Sequence, residues 1–329
     1  MAIFKNPNFD FLRWRWPAVG LSMLIIVSGA VAVAMQGGLA LGIDFSGGTI
    51  VIVQFEAPTT EDAVRGAIGS VVGEAVVQQY GDASGNEIMI RLPESGPEEG
   101  TSLEAGATAV VSALQQSAVG SFTVIGQELV GPVIGQELQR RGVSAFAFAM
   151  LGILVYVGFR FRFSFGVGAI IAVVHDILVT LAMLTFFGYD LSLNVVAAML
   201  TITGYSVNDS IVVFDRVREN LRQMRRDAFD VLVNTSINQT LSRTIITSGT
   251  TAFAVLALYV AGGEVLRGFA FTMLVGVISG TYSTIFIAAA AAIVISERRA
   301  TRRAESIERS VAVAKSKRRP KKTRARARA

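Results

Sequence analysis

The chain has 329 residues, of which 52% are hydrophobic and only 17% are charged, and its mean hydropathy is +0.52. A soluble protein carries roughly 25% charged residues, so this chain lacks the polar surface that a soluble protein needs. It has no cysteine, which excludes disulfides and thiol chemistry, and one histidine, which excludes a histidine-rich metal site. The motif G-x-x-x-x-G-K-[ST], the commonest ATP-binding loop, is missing from the sequence.

Six stretches are long and apolar enough to cross a bilayer, which takes about 20 residues. They cover 16–35, 142–159, 164–187, 191–214, 244–260 and 265–295. The last is too long for one straight crossing and must tilt or overhang. Residues 1–15 and the first span could also form a cleavable signal peptide, but an apolar run of about 20 residues exceeds the roughly 7–15 typical of such peptides.

Charge predicts the orientation of these spans. The segment 36–141 contains 13 Asp/Glu and 4 Lys/Arg, a net charge of −9, whereas the rest of the chain carries +14. Cytoplasmic segments carry an excess of Lys and Arg. We therefore expect both termini in the cytoplasm and 36–141 on the opposite side of the membrane.

Residues 36–141 predict one extracytoplasmic α+β domain. Alternating or apolar runs predict strands, whereas helical spacing and start signals predict helices. The predicted strands are 49–56, 75–80, 87–92 and 122–130, and the predicted helices are 59–72 and 102–117. The order β-α-β-β-α-β matches the ferredoxin-like arrangement. The domain has no His or Cys and its acids are scattered, so we expect it to bind a partner or simply to present an acidic surface.

The last strand is joined to the second span through Gly131, Pro132 and Gly135. Proline is common at a helix start, so these residues predict either a plain helix cap or a hinge between domain and membrane.

Five polar residues interrupt the spans: His175, Asp176, Asn208, Asp209 and Arg243. Ionisable groups inside a bilayer cost about 2.5–3.5 kcal/mol each at a helix centre on insertion scales and usually mark function. Asp209 lies toward the cytoplasmic end of the fourth span and Arg243 opens the fifth on the same side, so both lie at a comparable depth and could form an ion pair. That pair could equally serve only to join two helices.

A carboxyl group held between desolvation and an arginine can exchange a proton near neutral pH, while the arginine keeps its charge. Asn208 could hydrogen-bond either protonation state. His175 and Asp176 form a possible polar relay, although a histidine packed between helices is an equal alternative. Gly276 and Gly280 form a small-xxx-small motif that predicts close helix packing.

Two cytoplasmic segments are basic. Residues 216–242 have apolar residues at near-helical spacing among five arginines, which predicts an amphipathic helix along the anionic inner leaflet. The tail 299–329 is predicted to be disordered. Anionic lipids or the ribosome could attract the tail, although a plain positive anchor is the simpler interpretation.

Three motifs resemble the SecD/SecF family of protein-export membrane proteins. LGIDFSGGT at 41–49 resembles the signature that follows the first span in this family. GYSVNDSIVVFDRVREN at 204–220 is similar to its fourth-span motif, and LSRT at 241–244 to the start of its fifth span. The resemblance covers about residues 1–298, and the single modest external domain resembles the smaller family member, since SecD carries a much larger external region.

The resemblance implies an α-helical half-transporter of the RND superfamily, with six spans and one external domain. Such a subunit would pair with SecD, assist the Sec translocon channel and pull on unfolded preprotein. It would use the proton gradient without a cofactor or covalent catalysis, although Na⁺ could replace H⁺. By motif, Asp209 matches the family's proton-linked acid and Arg243 its partner.

Three alternatives remain at this stage. A small-molecule or lipid efflux transporter of the same superfamily would usually show twelve spans and two large external loops. A passive assembly scaffold would use the buried charges only for packing. An intramembrane hydrolase based on Ser206 has no base placed nearby in sequence.

Overall fold

The structure is a computed structural model that describes residues 7–69, 75–81, 85–92, 101–160, 163–224 and 226–318. Within these residues, six helices are long and apolar enough to cross a membrane. A small antiparallel sheet is formed by the part of the chain between the first and the second of these helices. The predicted fold class, six spans with one ferredoxin-like α+β domain, is confirmed.

The external domain begins with α2 and contains four strands and two longer helices. These elements are α2 (Ile43–Ser46), β1 (Gly48–Phe55), α3 (Glu61–Ile68), β2 (Val76–Tyr80), β3 (Glu87–Leu92), α4 (Thr101–Gln116) and β4 (Phe122–Val130), and α1 (Arg15–Met35) precedes them. The strand order is β2-β3-β1-β4 and every pairing is antiparallel. Residues 82–84, between β2 and β3, and residues 93–100, between β3 and α4, lie outside the described residues.

The domain core lies between the sheet and its two helices. Val51 and Val53 of β1 pack with Val64 of α3 and Val110 of α4, and all four are fully buried. The opposite face of β1 places Ile50 and Ile52 against α2. The central strand is therefore covered on both faces. Thr60 starts α3 because its hydroxyl accepts a hydrogen bond from the Ala63 amide.

The membrane domain continues with long helices. They are α5 (Pro132–Arg160), α6 (Phe163–Phe186), α7 (Leu193–Gln223), α8 (Phe229–Ala261), α9 (Glu264–Ser283) and α10 (Ala289–Arg318), with the π-helical turn Thr284–Ala288 between the last two. Helices α6, α7 and α9 form the buried centre, whereas α1, α5 and α8 are mostly exposed. A π-helical turn inside an α-helix is frequent at functional sites.

The prediction of an interfacial amphipathic helix over 216–242 is wrong. Instead, α7 and α8 both continue past the span and pack against each other around the turn at residues 224–228. Buried Asn220 of α7 donates to Ser236 and Gln239 of α8, both at 2.8 Å. The apolar stripe that predicted membrane contact is buried in the core with Val217, Leu232 and Ile237. Arg225 lies outside the described residues.

The prediction of disorder for 299–329 is also wrong as far as residue 318. Helix α10 continues to Arg318. This stretch is rich in Ala, Arg, Glu and Lys, which are good helix formers, and contains no Gly or Pro. Arg299 lies over the ring of Phe163, with 4.1 Å to the ring centroid. Residues 319–329 lie outside the described residues.

Candidate functional site

A buried polar cluster centres on Asp176, where α6, α7 and α9 meet. Ser206 of α7 and Ser283 of α9 donate to Asp176 Oδ2, at 2.6 and 2.8 Å. Ser279 of α9 donates to Oδ1 at 2.7 Å, and His175 Nδ1 lies 3.0 Å from the same oxygen. The side chain of Asp176 is 2% exposed. The cluster therefore replaces the water that a carboxylate needs with hydroxyl donors from two neighbouring helices.

The cluster extends from His175 to α1. His175 Nε2 lies 2.8 Å from Ser22 Oγ, and Ser22 contacts the Tyr282 hydroxyl at 3.2 Å. Tyr282 in turn donates to the carbonyl of Ala18 at 2.6 Å. If His175 is neutral with its proton on Nδ1, Nε2 accepts from Ser22. If both nitrogens carry protons, His175 donates at both ends. In the second arrangement the hydroxyl of Ser22 is free to donate to Tyr282, whereas in the first its one hydrogen is used by His175.

Asp209 lies one helical turn along α7 from Ser206. Its Oδ1 accepts from Thr244 Oγ1 of α8 at 2.8 Å, and Thr284 of the π-helical turn also lies near the carboxyl group, whereas the buried Oδ2 makes no hydrogen bond of normal geometry among the described residues. On the next residue of α7, Ser210 shares a hydrogen bond of 3.1 Å with Thr284 of the π-helical turn. A buried acceptor without a donor is costly. Of the two buried carboxyl groups Asp176 and Asp209, only Asp209 has an oxygen without a hydrogen bond of normal geometry among the described residues.

The structure does not form the predicted ion pair between Asp209 and Arg243. No nitrogen of Arg243 lies within 4.0 Å of an Asp209 oxygen, and the Arg243 side chain is exposed. Neighbouring residues on a helix project about 100° apart, so when Thr244 faces Asp209, Arg243 does not. Arg243 instead lines an open cleft of about 680 Å³ between the extensions of α7 and α8.

Asn208 is exposed, whereas Asp209 beside it is buried. The amide is therefore not brought to the carboxyl group, for the same helical reason. A further hydroxyl chain joins α7, α8 and α9: Tyr205 donates to Ser248 at 3.1 Å, and Ser248 contacts Thr281 at 2.6 Å.

The predicted hinge residues lie in a close contact. Only Gly131 separates β4 from α5, and Pro132 is the first residue of the helix. A Cβ atom on Gly135 would lie 3.0 Å from the Gly47 nitrogen, so the helix start packs tightly on the end of α2. The capping role of Pro132 fits this geometry, and the hinge stays a prediction.

Sequence reasoning missed the hydroxyl partners Ser22, Ser279, Ser283 and Thr244. It considered Ser206 only as a nucleophile. The one available signal was their recurrence in apolar spans, and serines there commonly bond to their own helix backbone. The small-xxx-small motif is a close contact as predicted, since a Cβ on Gly276 would lie 2.2 Å from Ile202 Cδ1 and one on Gly280 3.2 Å from Ser206 Cβ.

Two sequence models of one family match the chain. The C-terminal model of the protein export membrane proteins SecD/SecF matches residues 110–298, and the SecD/SecF GG motif matches residues 36–59. The chain is 40% identical to protein translocase subunit SecF of Escherichia coli O157:H7, over 88% of this chain and 89% of that protein. It is 41% identical to SecF of Pseudomonas aeruginosa, over 86% and 90% of the two chains.

Two solved structures are also similar. The crystal structure of SecDF from Thermus thermophilus, a translocon-associated membrane protein, matches with a TM-score of 0.78 and 36% identity over 89% of this chain. SecDF in a super-membrane-facing form matches with a TM-score of 0.65 and 38% identity over 92% of this chain. The chain spans about two fifths of the length of these SecDF chains, 39% and 41%.

Proposed function

The chain belongs to the SecD/SecF family, and on that premise we propose that it couples proton movement at Asp209 to preprotein export. It is a multi-pass membrane protein and an accessory subunit of the Sec protein translocase, without enzymatic activity. The observation that carries the coupling proposal is the buried Oδ2 atom of Asp209, which has no hydrogen-bond partner among the described residues.

Protonation of Asp209 would change the contact between α7 and α8. The ionised carboxylate accepts from Thr244, whereas a protonated carboxyl group gains a donor that needs a new acceptor. A proton that crosses the membrane potential contributes about 2.3 kcal/mol per 100 mV. That energy is large enough to shift a two-state equilibrium by more than tenfold. The sodium ion is the alternative coupling ion.

The partner half is proposed to cover the exposed face of α7 and α8. Asn208 and Arg243 are exposed at the level of the buried Asp209, and hydrocarbon solvates neither side chain. SecD is the partner that we propose for this face. Its approach would also bring new groups to Arg243, whose permanent charge could then act on Asp209.

The Asp176 cluster is proposed to serve as a polar relay between α1, α6, α7 and α9. Ser22, His175 and Asp176 contact each other in the order found in serine hydrolases. Ser22, however, lies inside the continuous helix α1, whose backbone amides are engaged within the helix. No oxyanion hole is available there, and a relay is the role that the geometry supports.

The external domain is proposed to contact unfolded preprotein or the translocon channel. We place the chain in the bacterial cytoplasmic membrane with this domain outside and both termini in the cytoplasm, because the positive charge lies in the termini and the connections on that side.

Replacement of Asp209 by Asn tests the coupling. In vesicles that contain the full chain, SecD and the translocon, we expect Asp209→Asn to abolish the part of export that depends on the proton gradient, together with the associated proton flux. Asp227→Asn, at an exposed position in the turn between α7 and α8, is the matched control. Normal gradient-dependent export by Asp209→Asn, at a normal protein level, would favour the passive scaffold. Loss of export when Na⁺ is replaced at constant pH would assign the coupling to Na⁺.

A further inference from the structure

The external domain touches the membrane helices at a second place besides its covalent connections. There, residues 40–42 lie beside the turn between α6 and α7. The amide of Leu191 donates to the Ala40 carbonyl at 2.7 Å, and the amide of Gly42 donates to the Leu191 carbonyl at 2.8 Å. These two bonds form a parallel bridge between Leu41 and Leu191. The space is tight, because a Cβ atom on Gly42 would lie 3.2 Å from the Leu191 oxygen.

Asp44 continues this contact onto α7 itself. Its Oδ2 accepts from the amide of Leu193, the first residue of α7, at 2.8 Å. The hydroxyl of Ser192 accepts from the amide of Val195 at 3.3 Å. Two of the free amides at the start of α7 are thus satisfied, one of them by a residue 149 positions earlier in the chain. A carboxylate at a helix N-terminus is further stabilised by the helix dipole.

An ion pair lies beside the bridge. Arg91 of β3 donates to Asp190 in the same turn between α6 and α7. Their side chains are only 18% and 24% exposed, so this pair is better shielded from salt than the other Arg–carboxylate pairs of the described residues. It joins the sheet of the domain directly to the membrane half.

The segment 40–48, which we call the clamp, is also connected to β1 and contacts α5. Helix α2 lies inside it and continues into β1 through Gly47 and Gly48, which have positive φ angles of 72° and 124°. Gly135 of α5 packs on the Gly47 nitrogen. The sheet, α5 and the start of α7 therefore meet at one short segment.

We infer that the clamp fixes the external end of α7 to the external domain throughout the transport cycle, with Asp44 as the positioning residue. Helix α7 is continuous from Leu193 to Gln223, and Asp209 lies about 24 Å along it at 1.5 Å per residue. A displacement of the domain is then transmitted as a displacement of the helix that carries Asp209. The inference rests on the proposed function for that transmission, although the clamp itself can be measured separately.

The first test measures the clamp without transport. The chain has no native cysteine, so the double variant Leu41→Cys with Leu191→Cys reports the contact through the rate of disulfide formation in the full chain. We expect Asp44→Ala to slow this rate about fivefold, the change expected when one helix-capping contact is lost. Asp44→Asn keeps an acceptor oxygen and should stay within about twofold. Asp62→Ala, which removes an exposed carboxylate of the same domain, is the control. An unchanged rate in Asp44→Ala would overturn the role of Asp44.

The second test measures export by the same double-cysteine variant with native Asp44. A clamp that stays closed predicts the same export rate in the oxidised and the reduced protein. A block that reductant relieves would overturn the inference, because the contact would then have to open in each cycle. Charge exchange between Arg91 and Asp190 gives an independent variant: Arg91→Asp should slow disulfide formation, and Arg91→Asp with Asp190→Arg should restore it. If these results hold while Asp209→Asn exports normally, the clamp stands and the coupling proposal fails.

Discussion

Asp176 and Asp209 differ in how many hydrogen bonds they accept. Asp176 is surrounded by three serine hydroxyls and His175, whereas Asp209 accepts from Thr244, lies near Thr284, and has one oxygen, Oδ2, that makes no hydrogen bond of normal geometry among the described residues. A carboxyl group whose oxygens all accept hydrogen bonds joins its neighbours into one polar network, as the proposed relay needs, whereas one with an oxygen that accepts none has a position open to a proton. The two residues are therefore assigned different tasks although they lie close to each other.

Asp176→Asn should be strongly destabilising. The amide nitrogen would place two further donors among hydroxyls that already donate, so at least one buried hydrogen bond is lost. We expect the free energy of unfolding in mixed micelles to fall by about 2 kcal/mol, the usual effect of losing hydrogen bonds to a charged group. Asp215→Asn breaks the half-exposed pair with Arg160 and should cost less than about 1 kcal/mol. Equal effects of the two substitutions would show that the Asp176 cluster contributes little to stability.

At the scale of helices and strands, the sequence predicted those elements that are specified by the length of an apolar run or by the spacing of its apolar residues. The strands 87–92 and 122–130 have the predicted bounds because alternation specifies them, and each predicted span overlaps a long apolar helix, although α5 begins at Pro132 and α8 at Phe229, well before the predicted spans 142–159 and 244–260. The segment 216–242 was misassigned because helical spacing reveals an apolar stripe but does not tell whether lipid or another helix packs against it. The tail was misassigned because its charge was weighed above its helix propensity.

The site was predictable only in part for a related reason. Asp209 and Arg243 stand out because charge is rare in a span. Whether they pair depends on the rotation of α7 and α8 about their own axes, and a shift of one residue replaces Arg243 by Thr244 at the contact. The serines around Asp176 carry no such signal. They come from helices that are distant in sequence, and only the packing brings them together.

The packing of α1 on α6 depends on one glycine. A Cβ on Gly29 would lie 2.2 Å from Ala182 Cβ and 2.8 Å from its Cα, whereas a Cβ on Gly20 of the same helix meets nothing within 4 Å. Gly29→Ala must therefore push α1 away from α6 and should cost about 1–3 kcal/mol of unfolding free energy. Gly20→Ala should be neutral or slightly stabilising, since alanine favours helix.

The same displacement should affect the polar relay, because Ser22 of α1 contacts His175 of α6. Unfolding of both variants in mixed micelles checks the packing. Equal stability of Gly29→Ala and Gly20→Ala would show that α1 is only loosely attached to the bundle.

For the whole molecule, the distribution of charge along the fold favours the proposed orientation. The acidic segment 36–141 contains the α+β domain, and the α7–α8 extensions with Arg216, Arg218 and Arg222 lie at the opposite end of the spans. The inferred transmission of a displacement from the clamp along α7 to Asp209 requires that the domain and these extensions face opposite sides of the membrane.

Single cysteines in this cysteine-free chain test that orientation. Gln127→Cys lies on the exposed strand β4, and Asp227→Cys lies in the exposed turn between α7 and α8. With a membrane-impermeant maleimide on cells whose outer barriers have been removed, we expect Gln127→Cys to be labelled at once and Asp227→Cys only after the membrane is permeabilised. Excess arginine on one side specifies this result, because positive segments are retained in the cytoplasm. The reverse pattern would contradict this orientation. It would place Asp209 toward the outer surface, where an inward-moving proton would reach it before crossing most of the membrane.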